Sequence, residues 1–573
     1  MRETDIYNLI LLGGTGARCG EIFIHMCANG YFSGQKINIL YIDSDTENGN
    51  AKSLKMTYET YKKCREQYVI AGSQIPGFFR PQIELEGPVK PTGNLEYFRD
   101  MANSENDEPD INDGAKALMH CLYSDEECDL KITDGFFARP NVGSAVFAAN
   151  TETMMSEFLE RIRQEKVGIK KVHIYMIGSV FGGTGASSLP TISRYLKKKL
   201  SEESTDKKVE QKLRIGAGVV LPYFSFKRDR EKERTKEEQE VEIEAEKFSV
   251  KTKMALQYYE DLERKYNLKI FDSVYILGHD GYDVRGIYDT AGSGQHNLPH
   301  ITEFYTAMAA VTFFRDKGDG KYFAVVPKDK INWRSMDESS NCFLSFFIMM
   351  RFAITMKSLI LEELFDVAHD GQVRRKTINK IPWYFDFIDG KSRSLDLQLD
   401  SLKEKFSAID EYCNRYIRWF AELMIDNIDK VKRPDTLNFL EKKGKKKDLS
   451  VEPDLVQYLD LFTGELLERQ YANILMENGT LTYDTDKIKA KVREDNIRYI
   501  RRHSKEICQD VIMDELNMKK ISFEDIWTRI TMFGFSHTMK IDGILKNIRD
   551  TESPTMEEGV KNLVNAVYIS CMA

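Results

Sequence analysis

The sequence predicts an α/β protein, with a largely parallel sheet over its first 315 residues and a helix-rich region after it. Three observations carry this. Short apolar runs alternate with stretches of helical spacing, the pattern of parallel strands covered on both faces. Two of those runs end in nearly the same glycine-rich turn, "NLILLGGTGARCGEIFI" (8–24) and "HIYMIGSVFGGTGASSLPTI" (173–192). From about residue 340 the strand signals thin out and long amphipathic patterns replace them.

Taken in order, "IYNLILL" (6–12) is a continuous apolar run, followed by helical spacing in "GEIFIHMCANGYF" (20–32). "INILYIDSD" (37–45) reads as a second buried strand. Residues 71–135 carry Pro, Gly and acidic clusters and read as a long insertion or irregular excursion. "HIYMIGS" (173–179), "LRIGAGVVLPY" (213–223), "IFDSVYILG" (270–278) and "YFAVV" (322–326) are four further strands. The charge run at 227–247 reads as a solvated helix with i,i+4 ion pairs.

A buried helix is expected at 299–316, around "HITEFYTAMAAVTFFRD". Beyond it, "SLKEKFSAIDEYCNRYIRWFAELMIDNI" (401–428) and "PDLVQYLDLFTGELLERQYANILMENG" (453–479) are amphipathic, with an exposed basic loop between them at 441–450. The expected organisation is an α/β domain at 1–315, a second domain at 316–440 and a helical extension at 441–573.

Composition narrows the classes. The 573 residues are 42% hydrophobic and 30% charged, as in globular proteins, with a net charge of −8. That balance argues against a dedicated nucleic-acid binder. Nine cysteines without a C-x-x-C pair suit a reducing compartment, and no leader pattern follows Met1. "CFLSFFIMMRFAITM" (342–356) is broken by Arg351 and falls short of the roughly 20 residues of a membrane span. A cytoplasmic protein is expected.

Both glycine turns stand between a buried strand and a helix. Helix N-termini present unsatisfied N–H groups, and glycine lets a phosphate approach them without obstruction from a Cβ. Neither turn has the Lys of a P-loop. Gly14, Gly16 and Gly20 give G-x-G-x-x-x-G, one residue longer than the dinucleotide fingerprint, and Asp43 and Asp45 close the second strand where an acid would meet a ribose. Alone, the first turn fits either a tight structural turn or a phosphate cradle. The second turn points to a polyphosphate held between two strand ends.

The order of these pieces resembles the tubulin/FtsZ superfamily of polymerising GTPases. "VFGGTGASSLPTISRYL" (180–196) is similar to that family's glycine-rich signature at Gly182, Gly183, Thr184 and Gly185, with Phe181 and Ser187 in place of its first and last glycines. "GGTGARCG" (13–20) resembles the first nucleotide loop, bringing in Gly13, Gly14, Thr15 and Gly16. "IDSD" (42–45) resembles the second loop, and "ARPNVGSA" (138–145) the third, coinciding at Pro140, Val142 and Gly143, which implies Asn141 and Gly143 as site residues. "FDSVYILGHDGYD" (271–283) resembles the strand and loop before the central helix.

The resemblance covers about residues 6–340. It implies GTP or GDP bound with Mg2+, head-to-tail self-assembly, and hydrolysis completed by the next subunit. The counterpart of the hydrolytic loop is "INWRSMDE" (331–338), where Asn332 and Asp337 fit the family pattern and Arg334 stands in place of the first acid. An Arg there can offset transition-state charge but cannot act as a base. The loop can equally be a surface segment with incidental charges. Asn297 and Glu303 are the nearest candidates to read the base, Glu303 alternatively being a first-turn acid on the helix dipole.

His296 and His300 do not form a metal pair, since Pro299 fits the first helical turn and leaves His296 outside it. Cys19, in the first loop, is either a thiol of lowered pKa or a small residue that fits beside phosphates. Three functions stay open: a filament- or ring-forming GTPase, a non-hydrolysing nucleotide sensor or scaffold that recruits a protein partner through its helical region, and a Rossmann-type NAD-dependent enzyme at 1–150.

Overall fold

A computed structural model describes residues 5–32, 36–69, 78–102, 109–165, 171–202, 213–227, 248–278, 283–287, 297, 299–315, 323–325, 342–356 and 399–425, with 560, 561, 564, 565 and 568 near the end. The chain forms two compact units. The first takes Met1–Ile24, Gly34–Tyr58 and Pro81–Ser335; the second takes His25–Ser33, Glu59–Arg80 and Met336–Ala573.

The first unit is Rossmann-like. Its strands are β1 (Ile6–Leu12), β2 (Lys36–Ile42), β3 (Gln82–Val89), β4 (Val172–Ser179), β5 (Leu213–Val220), β6 (Phe224–Lys227), β7 (Ser273–Leu277), β8 (Asp283–Ile287) and β9 (Phe323–Val325). Seven of them form one sheet in the order β3-β2-β1-β4-β5-β7-β9, with every pairing parallel. β6 and β8 make a separate parallel pair. β1, β2 and β4 are buried along almost their whole length, which is why they read as continuous apolar runs.

The helices of this unit, some of which continue into the second, are α1 (Gly13–Ala28), α2 (Gly49–Tyr68), α3 (Pro109–Leu122), α4 (Asp125–Cys128), α5 (Pro140–Met154), α6 (Ser156–Glu165), α7 (Thr184–Glu202), α8 (Phe248–Arg264) and α9 (Ile301–Arg315). α9 is the buried helix expected at 299–316, two residues later at its start, because His300 caps it. The His300 ring nitrogen accepts from the Thr302 N–H at 3.0 Å. α9 is buried on most of its circumference, as an apolar, weakly amphipathic helix must be. β5 seats it with glycine: a Cβ on Gly216 would come within 2.5 Å of the Phe313 ring.

One expectation is corrected. Residues 71–135 are not simply irregular: β3 pairs with β2 at the sheet edge, and α3 and α4 follow. β3 escaped notice because "QIELEGPV" alternates polar and apolar residues, the signature of a half-exposed edge strand. The Ser124 capping box, with reciprocal bonds to Glu127, starts α4.

The second unit includes α10 (Cys342–Thr355) and α11 (Leu399–Ile425), the latter on the amphipathic stretch expected at 401–428. Tyr412, Tyr416 and Phe420 recur every four residues along α11 and are buried. Phe78 stacks on Tyr568 with ring centroids 4.1 Å apart, and Asn565 donates to the Tyr68 carbonyl at 2.7 Å. Among the described residues no helix is long and apolar enough to cross a membrane. The charge run from 228 to 247, the loop at 331–338, the basic loop at 441–450 and the helix expected at 453–479 lie outside the described residues.

Candidate functional site

In the main sheet the direction of winding reverses between β1 and β4, since β2 and β3 lie to one side and β5, β7 and β9 to the other. Open α/β sheets bind ligands at the carboxyl edge of such a reversal. β1 and β4 are direct neighbours in register, with Leu12 opposite Gly178, so the two glycine turns that follow them must meet. A cavity of about 160 Å³ lies there.

The cavity is lined from the first turn by Gly13, Gly14 and Thr15, and from the second by Ser179, Phe181, Gly182, Gly183, Thr184 and Gly185. Asp43, Asp45, Asn48 and Asn50 come from the β2–α2 connection. Asp134, Gly135, Phe136, Phe137 and Ala138 precede α5; Arg18, Phe248 and Asn297 complete the lining. Three helices, α1, α2 and α7, therefore start at this cavity, each with its first-turn amides unsatisfied within the helix. At α2, Asn48 caps the start by accepting from the Ala51 N–H at 2.8 Å.

Glycine is required by close approach. Gly16 lies against the ends of β1 and β4: a Cβ there would sit 2.9 Å from the Leu11 carbonyl carbon and 3.2 Å from the Ile177 oxygen. A Cβ on Gly183 would fall 2.4 Å from that of Phe136. Phe181, where the resembling family has glycine, is buried against Phe248 at 4.9 Å, which forms one wall. Ser187 donates to the Gly183 carbonyl at 2.7 Å.

Asp43 is the central carboxyl. It is buried, accepts from the Tyr41 hydroxyl at 2.8 Å, and lies 3.4 Å from both the Asn48 amide and the Thr184 hydroxyl. Burial pushes its pKa up to about 7; the bond from Tyr41 opposes this and the neighbouring Asp45 adds to it. Asp45 is partly exposed and accepts from the Glu47 N–H.

Of the residues expected in the site, Gly13, Gly14, Thr15, Asp43, Asp45, Gly182, Gly183, Thr184, Gly185 and Asn297 line one cavity. Gly16 backs it. Asn141 does not line it: this side chain is exposed on α5 and donates to Glu127 at 2.6 Å. Gly143 instead lets α5 approach α7, where a Cβ would lie 2.5 Å from the Ser187 hydroxyl. Asn332, Arg334 and Asp337 lie outside the described residues, as does His296.

Glu303 is also placed differently. Its carboxylate is buried, accepts from Arg18 Nε at 2.5 Å, from the Tyr223 hydroxyl, and from the His300 N–H at 3.0 Å. It is a counter-ion and a helix-start acceptor, not a cavity-lining group. Cys19 is buried beside it and does not line the cavity; burial and the Glu303 charge push its thiol pKa up, against the lowered value that a helix N-terminus suggested.

Arg18 was missed by reading the sequence. Its guanidinium is 6% exposed. Burial disfavours its charge, but the Glu303 carboxylate and Tyr223 outweigh this and hold it cationic. A basic residue one turn inside a glycine-started helix was the available signal. Among the described residues, no group of three His, Cys, Asp or Glu side chains is arranged to hold a metal ion by itself. No protein-family model matches the sequence, and no curated protein is significantly similar to it.

Proposed function

We propose that the chain is a tubulin/FtsZ-like GTP-binding protein, with the polyphosphate of GTP lying across the ends of β1, β2 and β4. The observation that carries this reading is the convergence of two Gly-Gly-Thr-Gly turns and three helix starts on one cavity. A single structural turn needs no such convergence, and a polyphosphate does. The cavity is smaller than the roughly 300–1,000 Å³ of whole-ligand pockets, which suits the phosphate end of a nucleotide. Mg2+ bound mostly by phosphate and water would meet Asp43 and Asp45 through its water shell.

On this reading the protein assembles head to tail, a heterologous contact that gives filaments unless rotation closes a ring. Asn332 and Asp337 of one subunit would serve the nucleotide of the next, with Arg334 offsetting charge on the γ-phosphate. A second reading, an NAD-dependent enzyme, is favoured by the Rossmann-like strand order and the acid after β2. The second glycine turn counts against it.

Thermal shift with GTP, GDP, ATP and NAD, each with Mg2+, separates these. Selective stabilisation by GTP, with sedimentable polymer and phosphate release, supports the polymerising GTPase; Asp337→Ala should then slow release at least tenfold. Binding of GTP without polymer or release turns the reading to a sensor or scaffold. Stabilisation by NAD alone overturns it.

A further inference from the structure

We infer that Arg18 is the phosphate-binding cation of this cavity, aimed at the polyphosphate by Glu303 and Tyr223, which act as positioning residues. This rests on the nucleotide reading of the same site and names the residue that takes the place of the absent P-loop lysine.

Arg18 stands four residues after Gly14, and helical side chains lean back toward the preceding turn, so this one returns to the glycine loop that starts its own helix. Its Nη1 lies 4.0 Å from where a Gly14 Cβ would be. Nε donates to Glu303 at 2.5 Å, and Nη2 to the Tyr223 hydroxyl at 2.8 Å and toward Thr15 at 3.4 Å. Glu303 is in turn fixed by the His300 N–H, and the His300 ring stacks on Tyr223 at 4.8 Å. The planar fork is held in one orientation before any ligand arrives.

Charge supplies the second argument. Among the described lining residues Arg18 is the one Lys or Arg, and Asp43, Asp45 and Asp134 are acidic. Every other described side chain lining this cavity is uncharged or acidic. The guanidinium, held through Nε and Nη2, is the group that offsets the charge of a polyphosphate, with Nη1 turned toward the Gly14 end of the loop. The pair with Glu303 explains how a cation stays buried here, since an uncompensated one would be costly.

The test is titration of the full chain with inorganic tripolyphosphate and with GTP, both with Mg2+, alongside guanosine as a phosphate-free probe. Arg18→Lys keeps the charge but loses the fork. The double variant Arg18→Met with Glu303→Gln leaves no buried charge unpaired and guards against misfolding. Both should bind tripolyphosphate and GTP roughly 10- to 100-fold more weakly, with guanosine affinity unchanged. Glu303→Gln alone keeps an acceptor for Nε and should hold binding to within about threefold of wild type, whereas Glu303→Ala should weaken it more. Folded Arg18 variants that bind tripolyphosphate within twofold of wild type overturn the inference and leave the nucleotide reading standing. A wild-type chain that binds neither tripolyphosphate nor GTP removes both.

Discussion

Gly13 and Thr184, the first residues of α1 and α7, face each other across two adjacent strand ends: a Cβ on Gly13 would lie 3.3 Å from that of Thr184. Gly13 also has φ of +72°, in the left-handed region that only glycine enters readily. The contact follows from the parallel register of β1 and β4, and it turns two separate glycine turns into one cradle. Gly13→Ala is expected to destabilise the fold by about 1–2 kcal/mol and to weaken tripolyphosphate binding more than tenfold. Denaturant melts and titration of the same preparation check the two effects.

Asp43 makes the stability of the ligand-free protein depend on pH in a defined direction. Its folded pKa, about 7, is above the ordinary value of 3.8. Between those values the folded chain keeps a proton that the unfolded chain has lost, so this group's contribution falls as pH rises toward 7. Asp43→Asn, which mimics the protonated acid, should flatten that slope and raise stability at pH 8 relative to wild type. The slope approaches about 1.4 kcal/mol per pH unit at most. Urea melts from pH 5 to 8 on both proteins measure it, and parallel slopes would refute the assignment.

Gly143 belongs to the packing of α5 on α7, with the Ser187 hydroxyl 2.5 Å from its Cβ position. Gly143→Val should therefore cost about 1–3 kcal/mol of stability by overpacking. Asn141→Ala, which removes only an exposed bond to Glu127, should change stability by less than about 0.5 kcal/mol. Neither should alter tripolyphosphate affinity in protein that remains folded. A large affinity loss in Asn141→Ala would return that residue to the site.

His25 sets an acid limit on the second unit. It is fully buried, shares a 2.9 Å hydrogen bond with the Tyr412 hydroxyl, and lies against the Trp419 ring at 4.5 Å. Burial, with Arg415 nearby, pushes its pKa well below 6.5. The unfolded chain then binds a proton that the folded chain refuses, so stability is complete above about pH 6.5 and falls as pH drops below it. His25→Gln should remove this acid sensitivity, read as melting temperature between pH 7.5 and 5.5.

The strands β1, β2 and β4 were legible because burial on both faces leaves a nearly uninterrupted apolar run, and β5, β7 and β9 because their sequences are rich in apolar and β-branched residues. β3 was not, since an edge strand keeps polar residues, nor were β6 and β8, whose sequences FSFK and DVRGI mix polar and charged residues into short runs. The glycine turns were legible for a related reason: a helix start packed closely against strand ends demands glycine at fixed local spacing. Asn141 and Gly143 look like loop residues in the sequence, but Pro140 starts a helix there and carries them away from the cavity.

The sequence by itself determined the alternation of strands and helices, the two glycine turns and the acids after the second strand, since each is written in neighbouring residues. Only the tertiary structure decided which strands lie side by side, and with that the meeting of the two turns. It alone joined Arg18 to Glu303, 285 positions away, and to Tyr223, 205 positions away. The reason is physical. Local geometry follows from dihedral preference and periodic burial, whereas a buried ion pair is fixed by where the packed sheet brings two distant helix starts together.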